Sequence, residues 1–492
     1  MKTPRPPGPR DHFLGLSLLR DMERDYLAFW RDTHARHGDA VCIRTGPYLT
    51  FSFAHPDLIR AVLVDHADAF IRYERHMDVL STLHGQSVLI AEGDTWRRQR
   101  RMLLPAFQPK RFGGYARQMT AAVADMLDGL AKNPAAARAG IDLERVMDGL
   151  TMDVVLRTMF GARLDEDVGA IEDAVRMLSR IAYREMFAVV PLPDWLPLPS
   201  KRAKRERIRL LHDLIGTRIR ARRAAIAAGA PGDAQDLLGM LLTATDTDGS
   251  TLTDLQVRDQ LTTVFLAGHD TTASGLAWAC WALAAHPAIA ASAAREVDEV
   301  LRGRLPAAAD AAALPRIGMV VRETLRLYPP APGVFMRRAT ADVRIGEWLV
   351  PKGSLVSILS TVPHRDPRWF PEPLRFDPER FSEDNARALP RGAYIPFGTG
   401  PRVCIGNSFA TLEMTLALAM LLQRFRLRPA AGQLEPALDL QVTIRPQGGI
   451  RLILEERRDA PAARAPDAAS VMAPGPASCP FHHPGTQASA DT

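Results

Sequence analysis

FGTGPRVCIG, residues 397–406, contains one of only four cysteines in a chain of 492 residues. Three glycines surround this cysteine, Cys404, and Arg402 stands two positions before it. The apolar stretch SFATLEMTLALAMLL follows at once and is typical of a buried helix. A thiol among glycines at the start of a helix is therefore the feature that says most about this chain.

The decapeptide suits a thiolate that binds the iron of a flat macrocycle. A thiolate is a strongly donating ligand, and haem iron accepts one on its proximal side. Gly398, Gly400 and Gly406 remove side chains that would collide with a macrocycle, and they permit unusual backbone dihedrals. Backbone N–H groups at the start of the next helix favour the ionised sulfur. Arg402 can pair with a haem propionate, and Phe397 can shield the sulfur.

A second motif, RETLR, places an acid and a base on one face of an apolar helix. Glu323 and Arg326 stand at i,i+3, a spacing at which side chains meet. A buried ion pair needs further hydrogen bonds, so Arg380 in DPERF is a candidate third member. Alone, such a pair is equally compatible with an ordinary surface contact.

Two more motifs lie in predicted helices. AGHDTT (267–272) brings an acid and hydroxyls into a long apolar stretch, where a distortion at Gly268 would open a groove for dioxygen. WRRQR puts Trp96 and Arg100 on one face at i,i+4, able to bond the same carboxylate. Taken singly, these motifs also fit a softened core helix and a solvated basic helix.

Together and in this order, the motifs resemble those of the cytochrome P450 superfamily. FGTGPRVCIG matches the family's Phe-Gly-x-Gly-x-Arg-x-Cys-x-Gly signature at every fixed place. The others resemble its Glu-x-x-Arg pair with the Pro-Glu-Arg-Phe element, its oxygen-activation motif and its Trp-x-x-x-Arg propionate clamp. The resemblance covers roughly residues 35–455. It implies a mainly α fold with small β-sheets, in which haem lies between a long central helix and the loop and helix of the cysteine ligand.

The resemblance also implies a role for each motif residue. Cys404 is the axial ligand of the iron and favours O–O cleavage, while Asp270 and Thr271 deliver protons and Ala267 lies over the haem. Arg337 stands five residues before Asp342, where the family often has a propionate-binding arginine, so the resemblance implies this role for Arg337, with the adjacent Arg338 as an open alternative. The full implied set comprises, for the cofactor, Cys404, Arg402, Phe397, Gly398, Gly406, Trp96, Arg100 and Arg337; for catalysis, Asp270, Thr271 and Ala267; for the substrate pocket, Ala331, Gly333 and Val334; and for a structural triad, Glu323, Arg326 and Arg380.

The implied reaction is insertion of one oxygen atom of O2 into a hydrophobic organic substrate, by hydroxylation or epoxidation. Haem b is the cofactor, and external NAD(P)H supplies electrons through a ferredoxin and its reductase, which dock on the basic segment 97–111. One alternative is a peroxide-driven oxygenase or rearrangement catalyst on the same fold, and another is a haem-binding sensor or carrier without turnover. The presence of both Asp270 and Thr271 argues against these alternatives.

Composition sets broader limits. Hydrophobic residues make up 47% and charged residues 24%, and the net charge is +6, a mild bias that does not argue for nucleic acid. The cysteines are scattered, so neither a disulfide framework nor a zinc site is expected. The proline-rich N-terminus lacks a signal peptide, and no apolar run is long enough to span a bilayer. We expect a soluble, cytoplasmic, bacterial-type monomer without a membrane span.

We expect one haem-thiolate catalytic domain over residues 1–455, with an irregular segment at 1–15. Residues 456–492 are rich in Ala, Pro, Gly and Ser, which predicts a disordered tail. Cys479, His482 and His483 in this tail suggest a metal site or a redox-regulated haem contact, but a free tail is favoured.

Several elements are predicted from pattern. They are a helix over 17–37, a hairpin from VCIRTG and YLTFSF, a helix from DLIRAVLVDH, and a long helix that begins at the capping box of Thr253 and Gln256 and ends at Pro287. Residues 201–223 predict a helix whose basic side chains face water, with nucleic-acid binding as a minor alternative. The apolar segment 189–201 is a connection between helices, a lid over an apolar site or a membrane contact, and of the functional alternatives we favour the lid.

Overall fold

Helices dominate the described part of the chain, as the sequence predicts. The structure is a computed structural model, and it describes residues 5–10, 15–133, 136, 138–161, 168–188, 192–229 and 236–458. The tail predicted at 456–492 lies outside these residues after position 458, so the interpretation of Cys479, His482 and His483 stays a prediction. The helices are α1 Leu16–Arg24, α2 Tyr26–His37, α3 Pro56–Arg60, α4 Glu74–His84, α5 Gly93–Leu103, α6 Phe112–Ala131, α7 Leu143–Phe160, α8 Val168–Phe187, α9 Pro199–Ala227, α10 Leu237–Thr243, α11 Asp254–Ala285, α12 Pro287–Leu301, α13 Pro315–Leu327, α14 Glu383–Ala388 and α15 Asn407–Arg424.

The strands are short and form small sheets. They are β1 Ala40–Thr45, β2 Tyr48–Phe53, β3 Phe70–Arg72, β4 Ile141–Asp142, β5 Gly333–Ala339, β6 Val343–Ile345, β7 Trp348–Val350, β8 Leu355–Leu359, β9 Phe425–Pro429, β10 Leu438–Leu440, β11 Ile444–Pro446 and β12 Arg451–Glu456. The hairpin β1–β2 falls where the sequence predicts it.

One compact unit comprises the described residues of Met1–Met77 and Arg322–Cys404. Its five-stranded sheet has the order β1-β2-β8-β5-β3, with β2 and β8 parallel and the other pairs antiparallel. Phe51, Phe53, Ile59 and Ile358 belong to a buried apolar cluster on this sheet. The sheet therefore gives the loops at its edges a rigid support.

The second unit comprises the described residues of Asp78–Val321 and Ile405–Phe481. The long helix α11 packs against α7, α9 and α15 and is buried along most of its length. Thr253 and Gln256 form the predicted capping box, in which each side chain accepts a hydrogen bond from the backbone of the other residue. Two small sheets, β4-β12-β9 and β10-β11, complete this unit.

The N-terminal helix differs from its prediction, because it is two helices and not one. Asp25 has an extended backbone (φ −158°) that interrupts the helix between α1 and α2. Its carboxylate accepts a hydrogen bond from the N–H of Ala28 at 2.9 Å and so caps α2. An acid inside a helical pattern acts here as the start signal of a new helix.

The basic helix α9 also departs from its prediction at two positions. Leu211, Ile215 and Ile219 are buried, as the apolar spacing predicts. Lys201 and Lys204, however, are buried too, because both pair with the carboxylates of other segments. The expectation that all the basic side chains face water is wrong for these two lysines.

Within the described ranges, no helix by itself has both the length and the apolarity needed to cross a membrane. Only α11 and α12 taken together meet that test, and they meet at an angle of 110°.

Candidate active site

The cysteine loop is a tight turn held by its own backbone. The N–H of Cys404 donates to the carbonyl of Phe397, and the N–H of Val403 donates to that of Gly400, each at 3.0 Å. Gly398 and Gly400 have positive φ, +71° and +76°. A Cβ on Gly400 would lie 2.0 Å from the carbonyl oxygen of Leu63, so that glycine is required by a close backbone approach.

The other two glycines of the loop have open surroundings. A Cβ on Gly398 would have Val334 as its nearest neighbour, at 3.8 Å, and one on Gly406 would have Phe107 at 3.9 Å. These two positions therefore fit the predicted need for clearance, whereas Gly400 has the different cause given above.

The loop presents apolar surface beside its thiol. Cys404 is exposed, and none of residues 396–410 is buried, although residues 411–422 of α15 are buried throughout. Phe397, Val403 and Ile405 are each half-buried. An accessible thiol among accessible apolar side chains, at the N-terminus of a buried helix, suits a large flat apolar ligand with a metal centre.

Arg326 and Glu323 form a fully buried ion pair. Nε and Nη2 of the arginine lie 2.7 and 2.8 Å from the two carboxylate oxygens. Arg326 also donates to the carbonyls of His364 and Pro373, each at 2.7 Å. Because nearly every donor of the guanidinium is used, the burial of this charge is tolerated.

The third member of the predicted triad lies beside this pair. Nε of Arg380 is 3.5 Å from the carboxylate of Glu323, which also accepts the N–H of Asp377 at 2.9 Å. His364 is structural: its Nε2 accepts the N–H of Ile395 at 2.8 Å, and burial lowers its pKa to about 3.

An accessible stripe runs along the otherwise buried helix α11. Val264, Ala267, Gly268 and Thr271 keep exposed surface, while nearly all their neighbours on the helix are buried. The spacing i, i+3, i+4, i+7 puts these four residues on one face. The stripe contains two of the residues that the sequence predicts for catalysis.

The helix runs through Gly268 without a break. A Cβ at this position would lie 3.2 Å from a methyl of Val155 on α7, so the glycine permits close helix packing. The hydroxyl of Thr271 donates to the carbonyl of Ala267 at 2.6 Å. Gly268 is therefore explained by close helix packing. The hydroxyl of Thr271 remains on the accessible stripe.

Asp270 lies on the buried side of α11. It is ion-paired with Arg445, and the hydroxyl of Thr443 donates to it at 2.8 Å. The neighbouring His269 is buried, with its Nδ1 2.9 Å from the hydroxyl of Thr151. Burial lowers the pKa of His269, as expected for a neutral packed histidine.

Arg445 forms ion pairs with several acidic residues. Besides Asp270, its guanidinium lies 3.2 Å from Asp148 and 3.5 Å from Glu144. Burial raises the pKa of Glu144 to about 7, although Arg445 opposes this shift. Asp270 is therefore part of a cluster in which three carboxyl groups contact the same arginine.

Trp96 and Arg100 lie together on α5, as their spacing predicts. The guanidinium carbon is 5.9 Å from the centre of the indole ring, and both side chains are half-buried. This cation–π contact keeps the two side chains next to each other.

The structure separates the two adjacent arginines of β5. Arg338 binds both carboxylate oxygens of Glu74 and is partly exposed. Arg337 is buried and lies directly opposite Arg72 of β3, which is also buried. Residues opposite each other in antiparallel strands point to the same face, so two buried cations stand side by side there. This favours Arg337 over Arg338 as a ligand of a carboxylate.

The residues predicted for the substrate pocket lie at the start of β5. Gly333 begins the strand, and a Cβ there would meet the carbonyl of Ile358 at 3.0 Å. Val334 is half-buried and lies near Gly398 of the cysteine loop, whereas Ala331 is exposed. The structure thus brings Val334 close to the cysteine loop.

The basic segment 97–111 is partly neutralised by acids. Arg97 pairs with Asp94, and Arg98 and Arg101 both pair with Asp246. Lys110 at the end of the segment is exposed. The positive surface is therefore smaller than the sequence predicts.

Sequence reasoning missed Arg72, Arg445 and Glu413. The first two belong to the clusters described above, and Glu413 is buried in α15. Each is an ionic side chain in an otherwise apolar or strand-like stretch, and that was the only signal available. Among the described residues, no cluster of three or more His, Cys, Asp or Glu is arranged to hold a metal ion.

Comparison with known proteins assigns the family. The profile of the family "Cytochrome P450" matches residues 4–454. Cyclooctatin synthase of Streptomyces melanosporofaciens is 36% identical over 90% of this chain and 94% of its own. The same organism's cyclooctat-9-en-7-ol 5-monooxygenase is 36% identical over 80% of this chain and 84% of its own. Pentalenene oxygenase of Streptomyces avermitilis is 33% identical over 82% of this chain and 87% of its own. The chain therefore belongs to the cytochrome P450 family, which implies a haem iron cofactor, and the predicted class, a P450 monooxygenase, is confirmed.

Proposed function

We propose that this monooxygenase binds haem b through the thiolate of Cys404 and oxygenates a hydrophobic small molecule. The observation that carries the proposal is the accessible thiol in a glycine turn that leads into a buried helix. When bound, the haem supplies oxygen activation, which no side chain of the protein provides.

The residues of the loop fit this cofactor. Gly398 and Gly406 leave clearance beside the thiol, and Phe397 adds apolar surface. Arg402, Trp96 and Arg100 are proposed to bind the propionates. Two further propionate ligands are the opposed arginines Arg337 and Arg72, because two buried cations on one face are stabilised by a carboxylate between them.

Proton delivery is assigned to Thr271 and Asp270. The hydroxyl of Thr271 lies on the accessible stripe of α11, and Ala267 leaves room beside it. The carboxylate of Asp270 is ion-paired with Arg445, so this pair must open before Asp270 can exchange protons with that hydroxyl. We therefore assign Arg445 to positioning and Asp270 to the proton path.

The proposed substrate is a largely hydrocarbon molecule with a C=C bond. Two relatives carry an alkene in their printed names, cyclooctat-9-en-7-ol and pentalenene. Ala331, Gly333 and Val334 are small or apolar, which suits such a molecule.

Electrons are proposed to come from NAD(P)H through a ferredoxin and its reductase. The docking surface we assign is the 97–111 segment, at its exposed Lys110 end, because Asp246 already neutralises Arg98 and Arg101. A single catalytic domain over 1–455, a monomer and a cytoplasmic location remain part of this proposal, the last on the scattered cysteines. Glu323, Arg326 and Arg380 are assigned to folding and haem retention.

The test combines a spectrum with turnover. The reduced carbon-monoxide adduct of the purified protein should absorb where thiolate-ligated haem does, and Cys404→Ser should abolish that band. A set of cyclic alkenes is then screened with NADPH, ferredoxin and reductase, and separately with hydrogen peroxide. Equal or better turnover with peroxide alone would favour a peroxide-driven oxygenase and contradict the proposed electron source.

A further inference from the structure

The guanidinium of Arg445 lies between three carboxyl groups, and its two terminal nitrogens divide between them. Both nitrogens lie 3.2 Å from the same carboxylate oxygen of Asp148. Nη2 is also ion-paired with Asp270, whereas Nη1 lies 3.5 Å from the carboxylate of Glu144. Asp148 therefore supports the guanidinium at its centre, and Asp270 and Glu144 bind its opposite ends.

Of these three acids, Glu144 has the best access to water. Its side chain is 19% exposed, against 9% for Asp270 and 2% for Asp148. Glu144 stands in the first turn of α7, and Asp148 follows it at i,i+4, so both lie on one face of the helix. Glu144 can therefore exchange a proton with solvent, whereas the two inner acids are enclosed.

The protonation state of Glu144 decides how many anions compete for Arg445. Burial raises the pKa of Glu144 to about 7, so this group changes its charge near neutral pH. While Glu144 is neutral, only Asp148 and Asp270 attract the guanidinium. Once ionised, Glu144 attracts Nη1 and repels the carboxylate of Asp270, and both forces loosen the ion pair at Nη2.

The charged and titratable groups of this cluster come from five elements. Besides Glu144 they are Asp142 on β4, Asp148 on α7, Glu172 and Arg176 on α8, His269 and Asp270 on α11, and Arg445 on β11. Arg176 lies 3.2 Å from Asp148 and compensates that acid in either state of Glu144. Burial also raises the pKa of Glu172, which faces Asp148 and Arg176, so Glu172 is the matched comparison for Glu144.

We propose that Glu144 is a positioning residue of the proton path, whose carboxylate draws Arg445 away from Asp270 and so frees Asp270 to exchange protons. This inference rests on the role of Asp270 in the function proposed above. It adds a group at the protein surface that regulates proton supply. The coupling of NADPH use to product should therefore improve as the pH rises through about 7.

The first measurement is product formed per NADPH between about pH 6 and pH 8. It uses the holoprotein with ferredoxin and reductase, and the best-converted cyclic alkene of the screen described above. In the wild type we expect a rise of about fivefold, the size typical of one half-exposed ion pair. Glu144→Gln stays neutral and should remain at the low-pH value throughout. Glu172→Gln removes a comparable carboxyl group and should keep the rise.

The second measurement follows the proton itself and needs no turnover. Infrared difference spectra of the holoprotein should show a protonated-carboxyl band that disappears with a midpoint near pH 7. This band should be missing from Glu144→Gln and present in Glu172→Gln. The spectrum of the reduced carbon-monoxide adduct verifies that each variant keeps a folded haem site.

Three results would overturn the inference: a rise in coupling that Glu144→Gln retains, a titrating band that persists in this variant, and a rise that Glu172→Gln abolishes equally. Asp270→Asn distinguishes this failure from that of the proposed function. If Asp270→Asn leaves coupling unchanged at every pH, the proposed role of Asp270 is wrong. If it lowers coupling while Glu144→Gln behaves as the wild type, only the role of Glu144 is wrong.

Discussion

The guanidinium of Arg445 is ion-paired with the carboxylate of Asp270, and the same group lies 3.2 Å from Asp148. One cation therefore holds the acid predicted for proton delivery and a second buried carboxyl group. Asp148 also lies 3.2 Å from Arg176, so the cluster connects α7, α8, α11 and β11. Its integrity should matter for stability as well as for proton supply.

Replacing Arg445 by glutamine should destabilise the protein strongly. Buried carboxylates that lose their cation cost about 3–5 kcal/mol, which shows as a lower urea midpoint. Arg424→Gln is the matched control, because Arg424 pairs with Asp128 and Glu456 on the surface and should change stability by about 1 kcal/mol or less. Adding Asp148→Asn to Arg445→Gln should restore part of the loss. Equal losses in the two single variants would refute the assigned role of the cluster.

Removal of the Thr271 hydroxyl should uncouple electron use from product. The hydroxyl lies on the accessible stripe and donates to the carbonyl of Ala267 at 2.6 Å, and the proposed function makes this hydroxyl a proton relay. In Thr271→Ala we expect product per NADPH to fall about tenfold or more, while NADPH use continues. Thr271→Ser keeps the hydroxyl and should keep most of the coupling. Unchanged coupling in the alanine variant would show that this hydroxyl is not needed.

The motifs could be recognised from the sequence because the residues of each motif lie only a few positions apart. Cys404 with its glycines, and Glu323 with Arg326, lie within single segments, so local geometry already predicts their contacts. Arg445 is 175 residues from Asp270, and only the fold shows that the two meet. The same limit explains why Lys201 and Lys204 were expected in water: their acidic partners come from α8 and the following loop.

Two glycines also show that the sequence alone does not reveal contacts between distant parts of the chain. The sequence marks Gly400 and Gly268 as unusual but cannot say what approaches them. A side chain at position 400 would collide with the carbonyl of Leu63, and one at position 268 would press against a methyl of Val155. Both neighbours come from distant parts of the chain, so the reason for each glycine is visible only in the packed structure.

Arg72→Gln should weaken haem retention. Arg72 and Arg337 are buried side by side, and a propionate between them would gain charge-assisted hydrogen bonds from both. Loss of one such bond, about 1.5–3 kcal/mol, predicts at least about tenfold faster transfer of haem to excess apomyoglobin. Arg338→Gln is the control: its partner is Glu74, and we expect the transfer rate of the wild type. If both variants release haem at the wild-type rate, Arg72 has no part in binding the cofactor.

Glu413→Gln should stabilise the protein increasingly as the pH rises. Glu413 is buried in α15, and neither carboxyl oxygen has a hydrogen-bond partner in the described part of the chain. Burial raises the pKa of this carboxyl well above the usual 4.5. Above pH 4.5 the unfolded chain releases a proton that the folded chain retains, so the free energy of unfolding falls as pH rises toward the raised pKa. The variant lacks this dependence, so the excess of its free energy of unfolding over that of the wild type should grow by up to about 1.4 kcal/mol per pH unit over that interval.

Urea unfolding of the wild type and the Glu413→Gln variant at several pH values between 5 and 8 measures this excess. Glu413→Met removes the same proton without an amide and should show the same pH trend, whereas a constant difference across this range would mean that Glu413 ionises in the folded protein as it does in the unfolded chain.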